Sequence, residues 1–328
     1  MPTPIPTATR AAIAWLEDPA VFAVNRLPSH SDHHSNAPRQ SLNGSWQVRT
    51  VQASELNVEE ASFAQKNAPA SNFKTIDVPS TLETNGGWRP AYVNIQMPWD
   101  GHEDPQAPKI PSANKVAVYR REFDVESDLV RVVEQGGDVT LTFEGFATAI
   151  YVWLDGTFVG YAEDGYTPSE FDVTDILFGR AETPSAPTRH ILTVACFEYS
   201  SASWLEDQDS WRFHGLFRDV VLAARPRTRI ESLRLNADYD HIEATGSLDI
   251  ELTLAHPQEH GNIRATLTDA NGRIVWQSAS GQDRSIRMAS GELVGIMPWS
   301  AENPVLYTLT LSTAAPAGNG ASNPESSN

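Results

Sequence analysis

Apolar and polar residues alternate with a period of two along most of this chain, and no stretch carries the three-to-four-residue spacing of a long amphipathic helix. That pattern confines the fold to β-architectures. KVAVYRREFDV (115–125), DVTLTF (138–143) and ILTVACFEY (191–199) read as strands, and AIYVWL meets TFVGYAE across Asp155-Gly156, the strongest short-range hairpin signal. Residues 77–114 break the pattern with a loop-rich stretch crowded with Pro, Gly, Trp and Asn, the kind of segment in which a sheet scaffold carries function. Beyond RDVVLAARPRT the strands become shorter and plainer: RIESLRLNADY, SLDIELTLAH, NIRATLTDA, then Asn271-Gly272, RIVWQSAS and VLYTLTLST. Their spacing fits an immunoglobulin-like sandwich of about 85 residues. With 328 residues, 40% of them hydrophobic, two domains can each bury a core.

The ends read differently. Residues 1–40 form a Pro- and His-rich arm with room for one short helix near Ala11 to Val21, and 314–328, AAPAGNGASNPESSN, read as a linker or disordered tail. A formal net charge of −18 repels phosphate backbones and anionic lipid, which argues against a nucleic-acid or membrane-surface partner. The single cysteine, Cys196, excludes an internal disulfide and any multi-cysteine metal site. Glu17, Asp18 and Pro19 interrupt the only candidate signal peptide, no run reaches membrane-spanning length, and the chain reads as cytoplasmic. His30, His33 and His34 cluster in the polar arm and read as solvated rather than as a metal site. There is no phosphate-cradling Gly-rich loop before a helix, no His-Glu-x-x-His pair and no Gly-x-Ser-x-Gly elbow.

The segment SWLEDQDSWRFHGLFRD (203–219) sets Glu206, Asp207 and Asp209 between two tryptophans. A calcium loop fails here, because the sixth position is Arg212 and the twelfth Arg218. Glycoside hydrolysis uses two carboxyl groups roughly 5 to 9.5 Å apart, and Asp207 and Asp209 on extended chain would have Cα atoms about 6.6 Å apart. Two side chains on one short segment, however, cannot flank a scissile bond from opposite faces of a sugar. On the acids alone the run reads as a solvated turn. Trp204, Trp211, Phe213 and Phe217 argue against an ordinary exposed loop, since aromatic faces beside acceptor oxygens suit a sugar.

Five blocks carry a resemblance: SLNGSWQVR (41–49), VPSTLETNGGWRPAYVNIQMPW (78–99), FEGFATAIYVWLDGTFVGYAEDGYTPSEFDVT (143–174), SWLEDQDSWRFHGLFRDV (203–220) and MPWSAENPVLYTL (297–309). In this order they resemble the N-terminal part of the large bacterial β-galactosidases of glycoside hydrolase family 2. The resemblance implies an all-β chain: a jelly-roll (galactose-binding-like) sandwich at 41–226, an immunoglobulin-like sandwich at 227–313, and a (β/α)8 barrel to follow that bears the acid/base and nucleophile. It places a sugar-hydroxyl ligand at Asn94, and at Asp209 a residue that contacts the sugar and is one ligand of a sodium-like cation. Magnesium and a homo-oligomeric parent are likewise implied. No catalytic residue is assigned to this chain, which reads as a partial one, inactive alone and contributing to the pocket of a retaining hydrolase of lactose-type β-galactosides. Glu206 and Asp207 are expected to organise the loop, with Arg212 and Arg218 holding the acids. A β-glucuronidase or β-mannosidase parent, or a free-standing carbohydrate-binding module, are the alternatives.

Overall fold

The computed structural model describes residues 5–30, 35–69, 71–179, 189–206, 209–259, 261–281 and 283–313. These fall into two compact units, one within Met1–Ser29 and Asn36–Pro226, the other within His30–Ser35 and Arg227–Asn328. The first unit is built from β1 (Ala23–Val24), β2 (Arg39–Ser41), β3 (Gly44–Gln52), β4 (Lys74–Val78), β5 (Ala91–Val93), β6 (Lys115–Phe123), β7 (Asp138–Phe143), β8 (Ala149–Leu154), β9 (Thr157–Ala162), β10 (Ser169–Asp172), β11 (His190–Phe197), β12 (Ser210–Arg212) and β13 (Val220–Arg225). Seven strands form one sheet in the order β1-β9-β8-β11-β6-β3-β4, and four form a second, β10-β7-β13-β2. β5 and β12 pair with each other as a separate two-stranded ribbon. The hairpin anticipated at Asp155-Gly156 joins β8 to β9, with φ of 54° and 82° at the two turn residues, the left-handed pair that a tight hairpin requires.

Alternate residues of the central strands serve two different cores. On β8, Ile150, Val152 and Leu154 pack between the sheets with Phe143, Phe171 and Leu222. Ala149, Tyr151 and Trp153 point the other way, into a second core with Val116, Val118 and Phe197. Residues 11–24 help to cover that outer face. A 3₁₀ turn, Ile13–Glu17, buries Leu16 at 2% exposure, and the Trp15 ring stacks on Tyr151 with centroids 6.0 Å apart. The Tyr151 hydroxyl donates to the carbonyl of Ala12 at 3.0 Å, Lys109 pairs with Glu17 at 2.6 Å, and β1 adds to the sheet edge against β9. This part of the N-terminal arm is thus a packed layer, and a 3₁₀ turn stands where the sequence left room for a short helix. His33 and His34 of that arm, and the tail 314–328, lie outside the described residues.

The second unit carries β14 (Arg229–Asp240), β15 (Thr245–Ala255), β16 (Ile263–Thr268), β17 (Ile274–Ser280), β18 (Ser285–Ala289), β19 (Leu293–Val294) and β20 (Thr308–Thr313). Its sheets, β14-β15-β18 with β19 also on β15, and β17-β16-β20, enclose Ile250, Leu252, Leu254, Ile263, Ala265 and Met288. The architecture is all-β, a jelly-roll sandwich followed by an immunoglobulin-like one. No described helix is long and apolar enough to cross a membrane.

Leu16→Ala tests the layer assigned to the N-terminal segment. Loss of a fully buried leucine is expected to lower stability by about 2–4 kcal/mol in urea unfolding of the 328-residue chain. A midpoint shift corresponding to a few tenths of a kcal/mol would return the segment to a free arm.

Candidate functional site

The β5–β12 ribbon brings together the two residues singled out by sequence. Val93 pairs with Ser210, Tyr92 with Trp211 and Ala91 with Arg212. Asn94 directly follows β5 and Asp209 directly precedes β12, so both flank the last pair of the ribbon, Val93 with Ser210, and both are exposed. The Tyr92 hydroxyl donates to Oδ1 of Asp209 at 2.6 Å, and this bond, with a smaller contribution from burial, raises the Tyr92 pKa above its ordinary value. The Tyr92 and Trp211 rings lie 5.5 Å apart at 45°.

The base of the ribbon is fastened by a buried pair that sequence reasoning did not assign. Glu83, just inside the turn Leu82–Gly86, accepts from the backbone N–H of His214 at 2.9 Å with Oε2 and meets its Nδ1 at 2.8 Å with Oε1. The N–H of Leu82 closes the knot by donating to the His214 carbonyl at 2.8 Å. Trp88 packs on the imidazole, centroids 5.6 Å apart. The following residue, Gly215, has φ of +107°, and a Cβ there would lie 2.6 Å from the Tyr119 hydroxyl, so no other residue type fits without displacement.

The remaining acids do different work. Glu163, 3% exposed, accepts from the Tyr161 hydroxyl, from Ser201 Oγ and from the Ala202 N–H at 3.0 Å, anchoring the 3₁₀ turn Ser201–Trp204 that leads to the acidic segment. Burial pushes its pKa up to about 7 against the opposing pull of those donors. Glu206 is also raised to about 7, by burial and then by Asp164. Its N–H donates to the Ala202 carbonyl and its carbonyl accepts from Arg212 Nη1 at 3.1 Å, so it does organise the loop, through its backbone. Arg218, expected to hold the acids, instead donates to the carbonyl of Tyr166 at 2.9 Å. Asp207 lies outside the described residues. Among the described residues no three His, Cys, Asp or Glu side chains form a group able to hold a metal. Asp209 offers a single carboxylate, so the residues present do not by themselves make the sodium or magnesium site that the resemblance implies.

Two hollows flank these elements. A cavity of about 40 Å³ is lined by Tyr166, Glu206, Trp211, Phe213 and His214 among others. A wider open groove of about 650 Å³ runs past Arg39, Glu144, Phe217, Arg218 and Asp219. It includes neither Asn94 nor Asp209, and Arg39 and Glu144 already satisfy each other at 3.0 Å; size alone does not make it the site.

The first unit is a jelly-roll sandwich that carries this aromatic ribbon, and the second is an immunoglobulin-like sandwich. A family profile described as "Glycosyl hydrolases family 2, sugar binding domain" matches residues 39–226, and one described as "Glycosyl hydrolases family 2" matches 228–323. The chain belongs to glycosyl hydrolase family 2. It is 52% identical over 318 residues to the β-galactosidase BgaC of Bifidobacterium adolescentis, covering 93% of this chain and 30% of that protein. It is 39% identical to a β-galactosidase of Lactobacillus delbrueckii subsp. bulgaricus (92% and 30%), and 34% identical to the β-galactosidase large subunit of Lactobacillus acidophilus (92% and 49%). The chain thus spans about a third to a half of the length of these relatives. Among solved structures, the β-glucuronidase of Bifidobacterium dentium complexed with coumarin-3-O-glucuronide superposes with a TM-score of 0.61 at 20% identity, over 86% of this chain and 46% of that one. That likeness is one of fold.

Glu163 generates a pH prediction. Its pKa is about 7 when folded against an ordinary 4.5, so between those values the folded chain keeps a proton that the unfolded chain releases. The associated stability is fully present below pH 4.5 and is lost as pH rises through 7, on the order of 3 kcal/mol. Glu163→Gln is expected to flatten that fall in urea titrations at pH 5 and pH 8. Parallel pH slopes for the variant and the parent chain would remove Glu163 as its source.

Proposed function

We propose that this chain is the substrate-receiving N-terminal portion of a β-galactosidase, a retaining hydrolase of terminal β-galactosides such as lactose. The observation that carries the reading is the end of the β5–β12 ribbon, where Asn94 and Asp209 flank the pair Val93–Ser210 and Asp209 accepts from the Tyr92 hydroxyl. Identity of 52% to a protein named β-galactosidase, against 20% or less for the β-glucuronidases cited by fold, supports galactose over glucuronic acid. On this reading residues 41–226 are the sugar-binding domain, 227–313 a spacer and 314–328 a linker. The two catalytic carboxyls belong to a barrel outside this chain, where one protonates the leaving oxygen and the other forms the glycosyl-enzyme.

Within that scheme the chain's own residues bind and orient. Asp209 accepts sugar hydroxyls as a carboxylate, and Asn94 adds an amide contact beside it. Tyr92 fixes the carboxylate's rotamer by holding Oδ1, which leaves acceptor capacity on Oδ2. As one ligand of a monovalent cation, Asp209 would be completed by groups outside the chain. A cytoplasmic setting and assembly of the parent into a homo-oligomer belong to the same proposal.

Two measurements test it. The purified 328-residue chain is expected to show no turnover of a chromogenic β-galactoside; reproducible hydrolysis abolished by Glu206→Gln would place the chemistry in this chain. In the full-length enzyme, Asp209→Asn removes the charge while keeping the shape. Losing a charge-assisted hydrogen bond is expected to reduce kcat/KM by the equivalent of about 1.5–3 kcal/mol, with KM rising and kcat falling if the contact strengthens in the transition state. Near-normal kinetics in Asp209→Asn would show that the sugar is received elsewhere.

A further inference from the structure

Four strands form the open edges of the second unit's two sheets, and they are unequal. β18, β17 and β20 run for 5, 7 and 6 residues, whereas β14 runs for 12. The register shift of β14 lies at its start, between Ile230 and Ser232, and the strand contains neither proline nor lysine. A long, regular edge without such protection offers its backbone to another strand. Arg229, Glu231 and Leu233 are already engaged within the chain, so the open stretch is 234–240.

The pairing shows which backbone groups face outward. Leu248 of β15 donates its N–H to Ser290 Oγ at 2.9 Å and accepts from the Ser290 N–H at 2.9 Å, so its backbone is turned away from β14. Ala237, its partner on β14, therefore directs its own N–H and C=O to the open edge. Alternation gives Leu235 and Tyr239 the same direction. The Tyr239 N–H is accordingly met by the Asp238 carboxylate, at 2.8 Å, rather than by β15.

The side chains carry a second sign of a missing neighbour. Leu235 and Ala237 pair with Ile250 and Leu248, which are buried in the core of the unit, and paired residues share a face. Both therefore lie on the core side of the sheet, yet Leu235 is 49% exposed and Ala237 is exposed as well. β14 overhangs the core at this end. On its other face stand Arg234, Asn236, Asp238 and Asp240, all exposed, and Arg234 forms no ion pair among the described residues.

We propose that this edge binds a second copy of the chain, β14 pairing antiparallel with the partner's β14 about a two-fold axis at Ala237. The stretch is complementary to itself in that register. On the core side Leu235 falls opposite the partner's Tyr239 and Ala237 opposite itself, which continues the apolar face from one copy to the next. On the outer side Arg234 falls opposite the partner's Asp240 and Asn236 opposite the partner's Asp238. With the axis at Asp238 two carboxylates would oppose each other, and with the axis at Asn236 the ladder would need Leu233, which is engaged. An unrelated strand would satisfy the backbone groups; an inverted copy of the same stretch satisfies the charges as well. The formal charge of −18 on each copy opposes association, but repulsion between exposed charges is screened beyond about 8 Å at physiological ionic strength. The inference gives a surface to the self-assembly proposed above and is independent of the galactoside reading.

The test is sedimentation equilibrium of the 328-residue chain at about 0.15 M salt, with hydrogen exchange across a concentration series. A monomer–dimer equilibrium is expected, with the Leu235 and Ala237 amides gaining protection as concentration rises. Ala237→Pro removes an outward N–H but no bond to β15, and is expected to abolish the dimer while leaving the urea midpoint of the monomer nearly unchanged. Arg234→Asp sets a carboxylate against the partner's Asp240 at both ends of the ladder, and should weaken dimerisation about tenfold. Adding Asp240→Asn, which keeps an acceptor for the N–H groups of Ile242 and Glu243, should recover most of that loss. A chain that stays monomeric at hundreds of micromolar, or a dimer that Ala237→Pro and Arg234→Asp leave intact, overturns the proposal. Protection of the two amides that does not depend on concentration overturns it too, by assigning the edge a cover within the chain itself. Each of these outcomes leaves the galactoside reading untouched.

Discussion

The structure depends on one constraint: the central strands of the seven-stranded sheet are apolar on both faces, so both faces must be covered. Every residue of β8 and of β11 is buried, and successive residues are shared between the two cores. A one-residue slip of β11 would exchange Leu192, Val194 and Cys196 for Ala195 and Phe197 between cores of different shape, which pins the register from both sides. The four-stranded sheet covers one face. The other is covered by turns and by the N-terminal segment, where the rings of Trp15, Tyr151, Phe158 and Tyr161 pack together. Arg120 also leaves that sheet, and its guanidinium is satisfied by the carbonyls of Lys66 and Ala68 in a covering loop.

A sheet fixed in this way gives the loops a rigid footing. Ala147, beside β8, exchanges backbone hydrogen bonds with Gly215, and Tyr119 of β6 occupies the space that a side chain at 215 would need. His214 is thereby held at the sandwich, and Glu83 ties the other arm of the ribbon to the same point. Glu163, next to the end of β9, fastens the turn that enters the acidic segment. The ribbon is thus anchored at its base, and Asn94 and Asp209 flank its last backbone pair, Val93 with Ser210.

Strand content was legible because β6, β7 and the Asp155-Gly156 hairpin each carry a local signal that their tertiary surroundings do not contradict. That Asn94 and Asp209 lie at one end of the same ribbon was legible only through the resemblance, since no local pattern links residues 115 positions apart. The outer layer was missed for a physical reason. AIYVWL was assigned to a strand, yet its unbroken apolar run is the mark of burial on both faces and implies a cover. The cover itself, AIAWLEDPAVFAV, has too few periodic residues to announce a packed element. Glu83, Glu163 and His214 escaped because a buried carboxyl–imidazole hydrogen bond or a buried carboxyl has no sequence signature; burial is a property of the fold. Arg218 was misassigned because nearness in sequence to the acids says nothing about which carbonyls its guanidinium reaches.

Carboxyl groups raised toward neutrality often mark a general acid, and here two of them, Glu163 and Glu206, support the segment that leads into β12. Geometry decides against that role. The Glu163 carboxylate is engaged by Tyr161, Ser201 and Ala202 and is sealed from solvent, so no glycosidic oxygen can reach it. Glu206 borders a cavity of about 40 Å³, little more than the volume of one water molecule and far below that of a pyranose ring. Burial is the first cause of both elevated values, and what it produces is a loop support whose stability depends on pH. Asp209 is the reverse case, exposed and oriented by a single phenol, which suits a group that must exchange water for sugar hydroxyls. The division follows from position: the acids beneath the loop shape it, and the acid at its tip is the one left to meet a ligand.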